Sequence, residues 1–275
     1  MVKIKILLEN YSVSEKFETK HGLSIFIEHS GKNILLDVGP DAKFANNAAK
    51  MNVDLKKVDY LFLSHNHDDH TGGINDFMKI NSTASIYLMD NIDNEYYSKR
   101  MFFKTPIGLK LNKEYRSRVT QLAGDMNIDK KIFFLKNTVS RYQKPTLNKK
   151  LFKKENGRVV HDTFDHEGIL VLDDAKELVI FNSCSHNGIL NTIQTIKSKL
   201  PNRKIRSYVG GLHLFNPVTS AGETTEYMDD LSGELKELPV IIYTGHCTGR
   251  PAMNYMKEKL NDQLREIRTG MELSV

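Results

Sequence analysis

The stretch Ser64 to Gly73, SHNHDDHTGG, follows directly on the apolar run Tyr60-Leu61-Phe62-Leu63. Three histidines and two aspartates fall within the six positions His65 to His70. A short strand of buried type that ends in imidazoles and carboxylates offers nitrogen and oxygen donors suited to Zn²⁺, and to iron or manganese with similar ligands. His65 and His67 flank Asn66, so an extended backbone points both rings to one side. Asp69 and His70 can then face a second ion. A solvated surface loop has no reason to repeat imidazole at this density, and Thr71-Gly72-Gly73 lets the chain turn tightly beneath the cluster.

Outward from this loop, short apolar runs alternate with helical patterns. Stretches 2–8, 23–28, 33–37, 60–63 and 85–89 read as strands, and 41–51 reads as a helix burying Phe44, Ala48 and Met51. The second half repeats the theme, with strands at 168–172, 178–182, 206–209 and 240–244 and helices at 187–199, 223–237 and 250–259. Two βα-rich halves of an α/β chain emerge. Residues 91 to about 157 are charged and weakly periodic, which marks them as an insertion or lid within one 275-residue domain.

Three distal histidines end apolar runs: His186 after LVIFNSCS, His213 after IRSYVGGL and His246 after VIIYTG. Each has glycine nearby, and small neighbours let backbone approach a metal or a substrate. Two ions with about four protein ligands each need more donors than the loop holds, and these positions are the supply. His21, His29 and His161 lie in polar, turn-like settings and are set aside. His166, in FDHEG, stands between the two groups.

Composition narrows the class further. The two cysteines, Cys184 and Cys247, each lie close to a histidine, which suits intracellular thiols near a metal better than a disulfide framework. With one short apolar stretch at the N-terminus, a cytoplasmic protein with no membrane segment is expected. The net charge of +5 is modest, and its excess falls largely between Lys99 and Lys154. That fits a small anionic substrate or an ordinary solvated face. Tyr96, Tyr97, Arg100, Phe102 and Phe103 interleave aromatic and basic side chains as a nucleic-acid contact would, although nucleic acid is not the partner expected here. Nothing in the sequence sets the oligomeric state.

Together with ILLDVG before it and CSHNGILNT, GGLHL and TGHCTG after it, the HxHxDH loop resembles the metallo-β-lactamase superfamily. Within it the chain is similar to the branch of metal-dependent hydrolases that includes the dihydropterin and ribofuranosylaminobenzene 5'-phosphate synthase of methanopterin biosynthesis. The resemblance implies a four-layer αββα sandwich with a dinuclear centre at one edge of the sheets. It assigns His65 and His67 to one ion, Asp69, His70 and His246 to the other, and makes Asp37 a carboxylate that orients a ligand imidazole. FNSC stands where the superfamily usually has a bridging aspartate. Either His186 completes the first site, the preferred reading, or His166 does so while Cys184 takes the aspartate's place.

Two divalent ions, zinc or else iron or manganese, would activate water against an ester, lactone or phosphoester, making the chain a hydrolase. Asp69 would orient the attacking group, and His213, free of metal, would donate a proton. The alternative implied by the branch is a pterin-linked transferase or synthase acting on a phosphorylated aromatic substrate, with phosphate contacts from the basic middle region. A nuclease is the lesser alternative. The fold by itself cannot choose among these chemistries.

Overall fold

Alternation of apolar residues sets how the strands stack. Ile34, Leu36 and Phe62 pack into one cluster while Leu35, Leu61 and Leu63 pack into another, the period-two pattern of strands buried on both faces. The computed structural model describes residues 1–100, 103–175, 177–216 and 219–275. It contains two seven-stranded sheets. The first runs Glu272–Ser274, Lys3–Leu8, Ser24–His29, Lys32–Leu36, Tyr60–Leu63, Ser85–Leu88 and Val119–Gln121, antiparallel up to Lys32–Leu36 and parallel beyond. The second runs Leu264–Glu266, Ile241–Thr244, Lys204–Val209, Glu177–Phe181, Gly168–Asp174, Ile132–Lys136 and Met126–Asn127, parallel as far as Glu177–Phe181 and antiparallel thereafter.

The inner faces meet in one core in which Ile4, Ile25, Ile34 and Phe62 pack with Phe134, Leu170, Val179 and Phe181. Helices Lys43–Lys50 and Ile74–Ile80 cover the outer face of the first sheet, burying Phe44, Ala48, Ile74 and Phe77. Helices Ile189–Lys199, Thr225–Lys236 and Arg250–Leu260 cover the second. This is the αββα sandwich. Among the described residues no helix is long and apolar enough to cross a membrane.

The middle stretch divides differently from the expected single insertion. Four strands of this stretch form a separate sheet in the order Arg158–His161, Leu151–Glu155, Tyr96–Arg100, Phe103–Pro106. Residues 119–136, however, return to the sandwich: Val119–Gln121 and Met126–Asn127 are edge strands of the two main sheets, and Ile132–Lys136 lies one strand in from the edge of the second. The charged residues around Ile132–Lys136 mask it in sequence, although Ile132 and Phe134 are fully buried. The aromatic and basic string of this region also splits. Tyr96 is buried against His166, Phe103 is 77% exposed, and Phe102 lies outside the described residues.

Candidate metal centre

Parallel strands bring their carboxyl ends to one edge of the sandwich, where open α/β sheets collect ligands. Five strand ends supply the donors there. Asp37 follows Lys32–Leu36, the HNHDDH loop follows Tyr60–Leu63, Cys184 and His186 follow Glu177–Phe181, His213 follows Lys204–Val209, and His246 follows Ile241–Thr244. The loop is not a surface feature: His65, Asn66, His67 and His70 are all buried. It closes in a helical turn, Asp68–Thr71, whose first carbonyl acceptor is His67. Gly72 and Gly73 serve close approach rather than a left-handed turn. A Cβ at Gly72 would lie 2.3 Å from the Pro40 carbonyl oxygen, and one at Gly73 2.5 Å from that of Val38.

Asp37 organises the base of the cluster. Its Oδ1 accepts the Ser64 amide (2.7 Å), and its Oδ2 accepts the Ser64 hydroxyl (2.7 Å) and lies 2.8 Å from His70 Nδ1. His70 Nε2 then points at Cys184 Sγ and at His246 Nε2, each 3.1 Å away. Burial pulls the His70 pKa down, but the carboxylates of Asp69 and Asp37 outweigh it and lift the pKa to about 9. His246 Nε2 and His21 Nε2 approach Asp69 Oδ2 at 3.4 and 3.3 Å. Burial would raise the Asp69 pKa, yet His70 and the imidazoles of His21 and His246 hold it well below the carboxylate range.

The other side is neutral imidazole. The His65, His67 and His186 rings lie 4.6 to 5.1 Å apart. Each has a buried Nε2 with no hydrogen-bond partner, while Nδ1 of His65 meets Ser64 Oγ at 2.8 Å and that of His186 meets Asn148 Oδ1 at 3.0 Å. Burial drives His65 and His186 far below the usual histidine pKa and His67 to about 3, so their lone pairs are free. A buried polar nitrogen without a partner costs about 1–3 kcal/mol, and several at one spot call for a bound group. Cys184 stands between the two sides. Its Sγ forms one trio with His65 and His186 and another with His70 and His246, the ligand atoms of each lying within 4.8 Å.

His166 does not compete for that place. Its Nδ1 accepts the Asn66 amide at 3.2 Å and its Nε2 lies 3.0 Å from Asp162 Oδ2, so both ring nitrogens are engaged. The buried Asp162 went unread in the sequence and brings His67, at 3.9 Å, into a trio with His166. His21 also belongs to the site although sequence context set it aside. It stacks on His246 at 4.6 Å between ring centroids. His29 and His161 lie outside every such trio of the described residues.

Glu167 fixes where His186 stands. Its carboxylate accepts the His186 amide (2.7 Å), the Asn187 amide (3.1 Å) and the Asn187 side chain (2.9 Å). Glu167→Gln exchanges one acceptor oxygen for a donor facing N–H groups, so unfolding in urea should show a loss of about 1–3 kcal/mol. An unchanged midpoint and slope would deny Glu167 this role.

Above the donors lies a cavity of about 260 Å³ whose walls include His21, His67, Asp69, His186 and His213, together with Ser98, Thr105 and Leu151 of the four-stranded sheet. None of its described wall residues is lysine or arginine. Two basic residues of the middle stretch are paired with carboxylates outside that wall: Lys153 with Glu155 and Asp165, and Lys154 with Glu95. His213 lines the cavity, but its ring also packs 4.1 Å from that of His186, with Nδ1 buried and unpartnered.

Comparison with known proteins places this geometry. A family model described as the metallo-beta-lactamase superfamily matches residues 19–146, the part that carries the HNHDDH loop. Over 98% of its length the chain is 31% identical to the 7,8-dihydropterin-6-methyl-4-(beta-D-ribofuranosyl)-aminobenzene-5'-phosphate synthase of Methanocaldococcus jannaschii, 95% of which is covered. An uncharacterized protein of the same organism is 28% identical over 94% of this chain and 95% of its own. The crystal structure of a metal-dependent hydrolase of the beta-lactamase superfamily superposes with a TM-score of 0.83 at 26% identity, covering 100% of this chain and 99% of that one.

Proposed function

Because the chain belongs to the metallo-β-lactamase superfamily, we propose that it is a metal-dependent synthase or transferase acting on a phosphorylated aromatic, pterin-linked substrate. The unpartnered Nε2 atoms of His65, His67 and His186, buried at one point, carry the metal part of this reading. The nearly full-length similarity to a pterin-linked synthase supports the substrate class. His65, His67 and His186 would hold one divalent ion and Asp69, His70 and His246 a second, with Cys184 shared between them where the superfamily has an aspartate. Nitrogen, oxygen and sulfur donors together suit zinc first, with iron or manganese as alternatives.

A divalent ion bound here supplies Lewis acidity, polarising a substrate oxygen and making a coordinated water more acidic. The chain's own residues do the rest. Asp37 holds His70 by Nδ1 so that Nε2 faces the centre. Asp69 and His21 form a carboxylate–imidazole pair on the cavity wall, fit to take a proton from the substrate or return one. The lid residues Ser98, Thr105 and Leu151 limit water around the reacting group. With no cationic side chain in the described wall, an anionic group inside the cavity would be met by imidazoles and by the ion.

A hydrolase is the second reading, favoured by the structural similarity to a metal-dependent hydrolase. The deciding experiment loads the protein in turn with zinc, iron or manganese. Each form is then offered a phosphorylated aromatic amine with a pterin donor, and separately a panel of model esters, lactones and phosphoesters. Metal-dependent joining of the first pair is expected. Ester cleavage without joining would replace the proposal by the hydrolase. In either case Asp69→Asn should lower kcat by about 10²-fold or more, since it weakens a ligand of the second ion and removes a proton-handling oxygen while leaving the fold in place. Undiminished turnover would take Asp69 out of the chemistry.

A further inference from the structure

Beyond the two histidine groups, the described residues hold another cluster of donors, made by Cys184, Cys247 and His213. We propose that Cys184, Cys247 and His213 form a third cation subsite in the cavity wall, one that takes a thiophilic ion such as Cd²⁺, Cu⁺ or Zn²⁺. It rests on the reading of the neighbouring histidines as a metal centre, with which it shares Cys184.

The two sulfurs and a ring nitrogen of His213 lie within 4.8 Å of one another. Both thiols are free, and both residues are buried to within a few per cent yet border the cavity, so an ion entering it reaches them. The backbone is shaped around this trio. Gly210, at φ +147°, has the Asn182 carbonyl oxygen 1.9 Å from where a Cβ would be, and no side chain fits there. A Cβ on Gly211 would lie 2.4 Å from Cys247 Sγ, so the absent side chain makes room for the sulfur. His213 itself is left-handed at φ +53°, and its amide donates to Cys247 Sγ at 3.3 Å. Its Nδ1 is buried without a partner, as expected of a donor awaiting a cation.

Thiols in a core ordinarily act as small apolar fillers. These two instead lie close to each other and to an imidazole at the cavity wall. Two sulfurs with one nitrogen select soft cations over the hard, oxygen-seeking ones. The ring of His213 therefore serves the donor set before it serves the substrate, a use different from the proton donor expected from its place in the sequence.

The test is cadmium titration of the reduced, metal-free full-length protein and of Cys247→Ser. Stoichiometry is read by native mass spectrometry, and thiolate ligation by the ultraviolet cadmium–sulfur charge-transfer band. The wild type should bind one ion more than the variant and show the stronger band, while the variant keeps its histidine-held ions. Equal stoichiometry and equal bands would overturn the third subsite alone; no cadmium in either protein would overturn both this subsite and the metal centre it rests on. Should Cys247→Ser fail to fold, alkylation of the wild type gives the answer. Cadmium at about 100 times its Kd should slow modification of Cys247 by about 100-fold, and an unchanged rate rejects the proposal.

Discussion

The double variant His65→Ala, His67→Ala should purify folded and bind no ion at the site these residues share with His186. Both rings are buried and their Nε2 atoms have no partner in the protein, so truncation removes unsatisfied polar atoms instead of creating them. The sandwich core is built from other residues, and the far-ultraviolet circular dichroism should be unchanged. Losing an outer partner of a metal ligand already costs about 10–100-fold in affinity, so losing two direct donors should exceed about 10³-fold. Elemental analysis after dialysis against a chelator buffer reads this directly. Metal content equal to the wild type would sink the assignment of the loop.

What the sequence disclosed and what it hid follow the same physical division. The HNHDDH loop was legible because its donors are contiguous, and one extended segment can aim several of them at one point. His246 was reachable because it closes an apolar run, and strand ends converge at one edge of a parallel sheet, whereas Asp37 was reached through the family resemblance. His21 and Asp162 were not so placed, and Cys184 came into view as a ligand only in place of the aspartate, in one of the two readings that the resemblance left open. His21 sits in a polar stretch before Gly22, and only the fold stacks it on His246. Asp162 follows the strand Arg158–His161 and meets His166 and His67. No local pattern announces such contacts.

The same holds for the fold. Long apolar runs such as Leu178 to Phe181 announced themselves, while Ile74–Ile80, Ile132–Lys136 and the C-terminal strand Glu272–Ser274 did not. Glu272–Ser274 is a strand only because it pairs with Lys3–Leu8, a contact between the chain's two ends. Ile74–Ile80 follows the paired glycines so closely that the loop's own signal conceals it. Between His166 and His186 the sequence left two readings open, and the two rings differ in their hydrogen bonding. His166 has spent both ring nitrogens on Asn66 and Asp162, while His186 keeps one bare.

Asp37→Ala should cost the metal-free protein about 3–5 kcal/mol, the range for removing one partner of a buried ion pair. Asp37 is fully buried at φ +58° and answers three donors at once: the Ser64 amide, the Ser64 hydroxyl and His70 Nδ1. Alanine leaves all three in a space that the surrounding core closes to water. His70 would then face only Asp69, whose Oδ2 lies 3.7 Å from its other nitrogen. Asp37→Asn keeps an acceptor for the Ser64 amide but not the charge opposite His70, so its loss should fall between wild type and alanine. The metal gives a second readout. With His70 no longer held in its tautomer, affinity at the Asp69, His70 and His246 group should drop by about 10–100-fold even in the asparagine variant. Urea unfolding that moves by less than about 1 kcal/mol for the alanine variant, with metal affinity unchanged, would mean that the loop holds its shape without this carboxylate.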